Sequence, residues 1–174
     1  MSAAPDFETV VADVYEPLQR YLRRRTDPAT AEDVLGDVLL VMWRRAADIP
    51  ADAPLAWCYG VARGCLANAR RGAERHLRLV RRLASEPAPA VTSDESGLAD
   101  ALLALPQGDR ELLRLWAWEG LPPRDIAVAL GITPNAASIR LHRATTKLKQ
   151  ELLRRKESAP AGHPAERQGK EASL

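Results

Sequence analysis

Apolar residues recur at helical spacing near the start of the chain: Phe7, Val10, Val11, Val14, Leu18, Tyr21 and Leu22. That period predicts a helix with one buried stripe. Pro17 interrupts the stripe and predicts a kink or a break. Asp27-Pro28 then stops the chain, and Thr30-x-x-Asp33 has the form of a helix-starting cap. The helix expected next, about 31–46, is apolar on more faces than one core contact requires, with Val34, Leu35, Val38, Leu39, Leu40, Val41, Met42 and Trp43. Either it is buried centrally or part of it docks a partner. Two prolines make residues 47–54 a loop. A long helix follows from about Leu55 to Leu83, with Trp57 and Tyr59 early and arginines later. Gly60, Gly64 and Gly72 weaken it locally by up to about 1 kcal/mol each.

Residues 85–97 are rich in Pro, Ser and Ala, with three acids and no base, the composition of a flexible linker. Beyond it a helix is predicted from about Gln107 to Glu119, ending at Gly120. Pro122-Pro123 restarts the chain into a short helix through Leu130, Gly131-Ile132 makes a tight turn, and Thr133-Pro134 opens a third helix as N-cap and first-turn proline. Short helix, glycine turn and longer helix form a helix-turn-helix, whose second helix enters the DNA major groove. Projected at about 100° per residue, Ala137, Leu141, Ala144, Leu148 and Leu152 share one stripe, the core side. Opposite lie Asn135, Ile139, His142, Arg143 and Thr146, flanked by Arg140 and Lys147. Asn and Arg can read base edges, Ile can touch a thymine methyl, and the flanking bases suit phosphates. The other reading is a plain three-helix bundle with a solvated basic helix, against which an Ile at the centre of a wet face argues.

The expected fold is therefore all-α: two small helical domains, about 7–84 and 98–155, joined by the linker at 85–97. The tail, 156–174, is expected to be disordered by its Pro, Gly, Ala and charge content. Abundant Leu, Ala and Arg with few aromatic or β-branched residues agree with helices. The net charge of +2 is bland, but residues 63–82 carry seven Arg against one Glu, and residues 26–52 six acids against two Arg. Such asymmetry suggests one face for nucleic acid and another for a different partner. The Arg run could be a solvated face; nearby aromatics and the helix-turn-helix favour DNA. Cys58 and Cys65 lie two helical turns apart, too far for a disulfide, and read as small hydrophobes. Three scattered histidines make a zinc site unexpected. Without a leader or a long apolar run, the chain is expected to be cytoplasmic, with no membrane insertion.

The two halves together resemble the extracytoplasmic-function sigma factors of RNA polymerase. Leu105-Pro106, Arg110-Glu111-Leu112-Leu113, Glu119-Gly120-Leu121, Ile126-Ala127, Leu130-Gly131-Ile132 and Arg140-Leu141-His142-Arg143-Ala144 look like their promoter-reading domain four. Asp27-Pro28, Ala31-Glu32-Asp33-Val34, Asp37, Trp43-Arg44, Pro54-Leu55, Trp57 and Val61-Ala62-Arg63 look like domain two. The resemblance covers nearly all of residues 10–153. It implies that the helix at 31–46, through Asp33, Leu35, Asp37, Leu39 and Trp43, grips the β′ clamp helices of core RNA polymerase, and that the β flap is a further contact. It implies that Trp57, Tyr59, Arg63, Gly64, Asn68, Arg70 and Arg71 handle the minus-ten element, where a base is flipped out during melting. The helix-turn-helix would read the minus-thirty-five element as duplex, and an anti-sigma factor is a partner such a factor can take. Three positions depart from the family: Gly36 where Gln is common, Gly64 where Asn is common, and Ser138-Ile139 in place of a Lys/Arg-Ser pair.

The alternative is a helix-turn-helix regulator whose N-terminal half senses or dimerises, which leaves the greasy acidic helix and the aromatic-plus-Arg helix unexplained. An enzyme is not expected. No Gly-rich phosphate loop, nucleophile elbow or metal-ligand spacing is present in the sequence, and neither a catalytic residue nor a cofactor is assigned.

Overall fold

The computed structural model describes residues 7–83 and 97–158, and they are all-helical. The expectations for the linker up to residue 96 and for the tail beyond residue 158 lie outside the described residues.

Helix α1, Phe7–Arg23, buries Val10, Val14, Leu18, Tyr21 and Leu22, the stripe its period predicts. Of the kink or break expected at Pro17, the break does not occur. The helix runs through it, forgoing the one bond the proline nitrogen cannot donate, because the apolar residues beyond are held in the core. Helix α2, Pro28–Arg44, begins three residues before its expected start. Asp27 is the cap: its Oδ1 accepts from the Thr30 N–H at 3.0 Å, and Pro28 takes the first helical position. Asp27-Pro28 thus opens a helix as well as closing the preceding loop. A 3-10 turn, Ala46–Asp48, takes the last residue of the helix expected over 31–46 and the first two of the expected loop, and α3 runs over Pro54–Leu83.

Helix α4, Gly97–Leu103, was not foreseen, and it takes the last residue assigned to the linker. Helices α5, Gln107–Ala117, α6, Pro123–Leu130, and α7, Pro134–Ser158, make the helix-turn-helix half. Helix α7 continues through Lys156 and Glu157, which had been placed in the tail.

The two halves, each with its expected helices, pack against one another. One hydrophobic cluster joins Tyr21, Leu22, Met42, Tyr59 and Leu66 of the first to Leu112, Leu115, Leu121, Ile126 and Ala129 of the second. A smaller cluster, Leu105, Leu113 and Ala144, holds α4, α5 and α7 together. Helix α6 lies against α3 at Gly60, where an added Cβ would stand 2.9 Å from the Ala129 carbonyl oxygen. The glycine read as a local weakness is what admits a backbone to this distance.

A buried polar knot sits beside this contact. The Arg25 side chain, 1% exposed, bonds Glu119 at 3.0 Å and Glu111 at 3.2 Å, and the Tyr21 hydroxyl donates to Glu111 at 2.8 Å. Burial pulls the Arg25 guanidinium down in pKa, but Tyr21, Glu111 and Glu119 more than offset it and leave it raised. Cys58 is buried against the Met42 sulfur and Cys65 is half-buried; both are free thiols. Burial holds the Cys58 thiol up at about 12, so it stays protonated and inert.

Candidate nucleic-acid interface

The turn between α6 and α7 is built from local chemistry. Gly131 adopts φ 65° and ψ 40°, the left-handed geometry that ends a helix, and its N–H reaches the Ala127 and Val128 carbonyls. Thr133 Oγ1 accepts from the Ala136 N–H at 3.2 Å, and Pro134 starts α7. Ala137 and Ala144 are fully buried, with Leu141 and Leu148 half-buried beside them, so α7 has the rotation the projection gave.

The opposite face is open. Asn135, Ile139, Arg140, His142, Arg143, Thr146 and Lys147 are all exposed, Ile139 at 44%. The Thr146 hydroxyl donates to the His142 carbonyl at 3.0 Å, leaving its oxygen free to accept. Lys147 is tied to Asp109 of α5 at 2.6 Å, which fixes that flank of α7 to the helix before the turn.

Along α3 the expected residues divide. Arg63, Gly64, Asn68, Arg70 and Arg71 are exposed. Arg71 donates to Asn68 Oδ1, and Arg70 to the Arg25 carbonyl at 2.9 Å. Trp57 is half-buried, with the Arg45 guanidinium 5.4 Å above its ring. Tyr59, expected to offer its ring to a base, is instead in the core, 3% exposed and 4.9 Å from the Tyr21 ring. Burial, with Glu119 adding, raises its phenol to about 12. Its position follows from spacing: Cys58, Tyr59, Ala62 and Leu66 form the core stripe of α3. An Asn would fit at Gly64, where an added Cβ meets nothing within 4 Å.

On α2, Asp33, Asp37 and Trp43 are exposed, Trp43 at 66%, and Leu39 is half-buried. Leu35, expected on the docking face, is buried at 4%, because it falls on the stripe with Ala31, Val38 and Met42. Leu40, exposed at 44%, takes the outward apolar position instead. One face of this helix is thus buried centrally, and the other leaves apolar side chains exposed.

The two expected DNA surfaces meet. Arg63, Arg70 and Arg71 of α3 line one cleft with Arg140, Arg143 and Lys147 of α7. Arg110, Glu111, Arg114 and Glu119 were not singled out as functional in the sequence. Arg110, Glu111 and Glu119 entered only through the motifs that resemble domain four, and Arg114 gave no signal beyond its alternation with Leu113 and Leu115.

A family model, sigma-70 region 4, matches residues 97–148. RNA polymerase sigma factor CarQ of Myxococcus xanthus is 34% identical over 156 residues, covering 83% of this chain and 87% of that protein. ECF RNA polymerase sigma factor SigL of Mycobacterium tuberculosis is 33% identical over 143 residues, covering 76% of this chain and 80% of that protein. The sigma factor RpoE from Bartonella quintana, solved in complex with the anti-sigma factor NepR, superposes with a TM-score of 0.61 at 24% identity. That superposition covers 86% of this chain and 97% of the other, and it establishes likeness of fold.

Proposed function

This chain belongs to the extracytoplasmic-function family of RNA polymerase sigma factors, and from that premise we propose how its surfaces divide the work of initiation. As a sigma factor it binds RNA polymerase and recognises promoters, and it is not itself an enzyme. The exposed face of α7, centred on Ile139 between Asn135, His142 and Arg143, reads the upstream promoter element in the major groove. The outer face of α3, with Arg63, Gly64, Asn68, Arg70 and Arg71, engages the minus-ten region, and Trp57 at its start is the nearest ring to opened strands. Helix α2 presents Asp33, Asp37, Leu40 and Trp43 to the β′ clamp helices, and the helix-turn-helix half meets the β flap.

The single observation that supports this division most strongly is α2's outer face. It pairs two acids with a Trp 66% exposed, on a helix whose other side is fully packed. Large aromatics are left in water where a partner covers them. An anti-sigma factor is proposed as a second protein partner, and the cytoplasm as the place of action.

The test is sedimentation of the purified chain with core polymerase. Asp37→Arg, a reversed charge on an exposed site, should weaken co-sedimentation about tenfold or more with the circular dichroism unchanged. Full binding by the variant would remove that face from the assignment.

A further inference from the structure

Three helices from both halves turn their arginines onto one cleft of about 960 Å³. Arg63 and Arg70 come from α3, Arg110 and Arg114 from α5, and Arg140 and Arg143 from α7. Ten lining residues are Arg or Lys and three are Asp or Glu, so the cleft is strongly positive. Two of those acids are already engaged, Asp109 by Lys147 and Glu111 by Arg25 and Tyr21.

Two observations separate this cleft from an ordinary solvated basic face. The Nε atoms of Arg110 and Arg114 are buried and find no hydrogen-bond partner among the described residues. A buried N–H without an acceptor is costly, so these two guanidinium groups are placed here against an energetic penalty. Burial, and then the neighbouring charge of Arg25, pull Arg114 below its ordinary pKa. Glu111 opposes this, while Arg110 and Arg70 add to it. The guanidinium groups are therefore held together against mutual repulsion.

We propose that this cleft is a binding site for a polyvalent phosphate anion, a chain of linked phosphates either free or carried on a nucleoside. Guanidinium forks match phosphate oxygens in pairs, which suits six arginines better than a single carboxylate would. The volume is that of a small-ligand site. An anion seated there bridges both halves. It also occupies Arg63, Arg140 and Arg143, which the proposed promoter contacts need, and so opposes promoter binding. The site rests on the packed halves alone and stands or falls apart from those promoter contacts.

The experiment is calorimetric titration of the full chain with sodium tripolyphosphate and, separately, with ATP in the absence of divalent metal, at constant ionic strength. The expected result is one saturable site, with melting temperature rising as it fills. Arg110→Gln with Arg114→Gln should weaken binding at least about tenfold. Arg63→Gln, on an exposed part of α3 that cannot disturb the core, should weaken it as well. Arg124→Gln, exposed on α6 away from the cleft, should bind as wild type does. Equal affinity for the two probes assigns the phosphate chain alone, and tighter ATP binding adds a nucleoside contact; both support the site. Heats that do not saturate would overturn it. So would unchanged affinity in both the Arg110/Arg114 pair and Arg63→Gln.

Discussion

A methyl group at Gly60 would press on the Ala129 carbonyl, a backbone atom with no rotamer to escape into. Gly60→Ala gains up to about 1 kcal/mol of helix propensity, but overpacking of this kind costs about 1–3 kcal/mol. A net loss of stability in urea denaturation is expected, and a gain would show that the halves do not rest on each other here. The sequence could not reveal this role, because propensity is local and the neighbour lies on another helix. Ile139 is the opposite case. Its outward position was legible from the period of α7 and is confirmed at 44% exposure. Ile139→Ser should leave stability within about 0.5 kcal/mol while lowering affinity for the preferred upstream element and sparing mismatched DNA. Arg143→Ala should cost about 1–3 kcal/mol at one base position. A binding series over single-base variants checks both, and uniform losses across the series would assign these side chains to phosphates.

Element boundaries were legible where capping chemistry was unambiguous and slipped where it was shared. Thr133-Pro134 and Gly131 gave the helix-turn-helix correctly, since each residue there has one local role. Asp27-Pro28 serves both as an ending and as a beginning, and only the Thr30 N–H pointing at Asp27 shows which helix it caps. Helix α4 was missed because seven residues beside a linker-like stretch give too short a period. The Asp27 cap has a pH signature. Hydrogen bonds from the Thr30 backbone and side chain hold the Asp27 carboxyl below its ordinary pKa in the folded state. Its contribution is therefore fully present above the ordinary carboxylate range and is lost as pH falls through the lowered folded value. Asp27→Asn keeps an acceptor that does not titrate there. Melting temperatures of wild type and variant should converge on acidification, and a constant gap would mean that Asp27 does not cap α2.

At the scale of the whole molecule, fold class and both helical halves were readable, but not their packing. Tyr59 and Leu35 went astray for the same reason. Each was read as a surface residue, although each falls on the buried stripe of its own helix, Tyr59 with Cys58, Ala62 and Leu66, and Leu35 with Ala31, Val38 and Met42. The Arg25–Glu111–Glu119 knot is the clearest mark of the joined state, because its charges come from both halves. Arg25→Ala leaves two carboxylates without their partner and should cost about 3–5 kcal/mol in denaturant unfolding. Adding Glu111→Gln and Glu119→Gln should recover much of that loss. A negligible cost for Arg25→Ala would mean that the halves part freely in solution.

Whether these surfaces act together is tested most directly by run-off transcription with purified core RNA polymerase on fragments of the genome. Adding the chain should produce transcripts from a defined set of start sites, absent with core polymerase alone. Asp37→Arg should abolish them by failing to bind polymerase, and Ile139→Ser should shift their relative yields through the upstream element. A chain that binds DNA but yields no start-site-specific transcript would contradict the assignment.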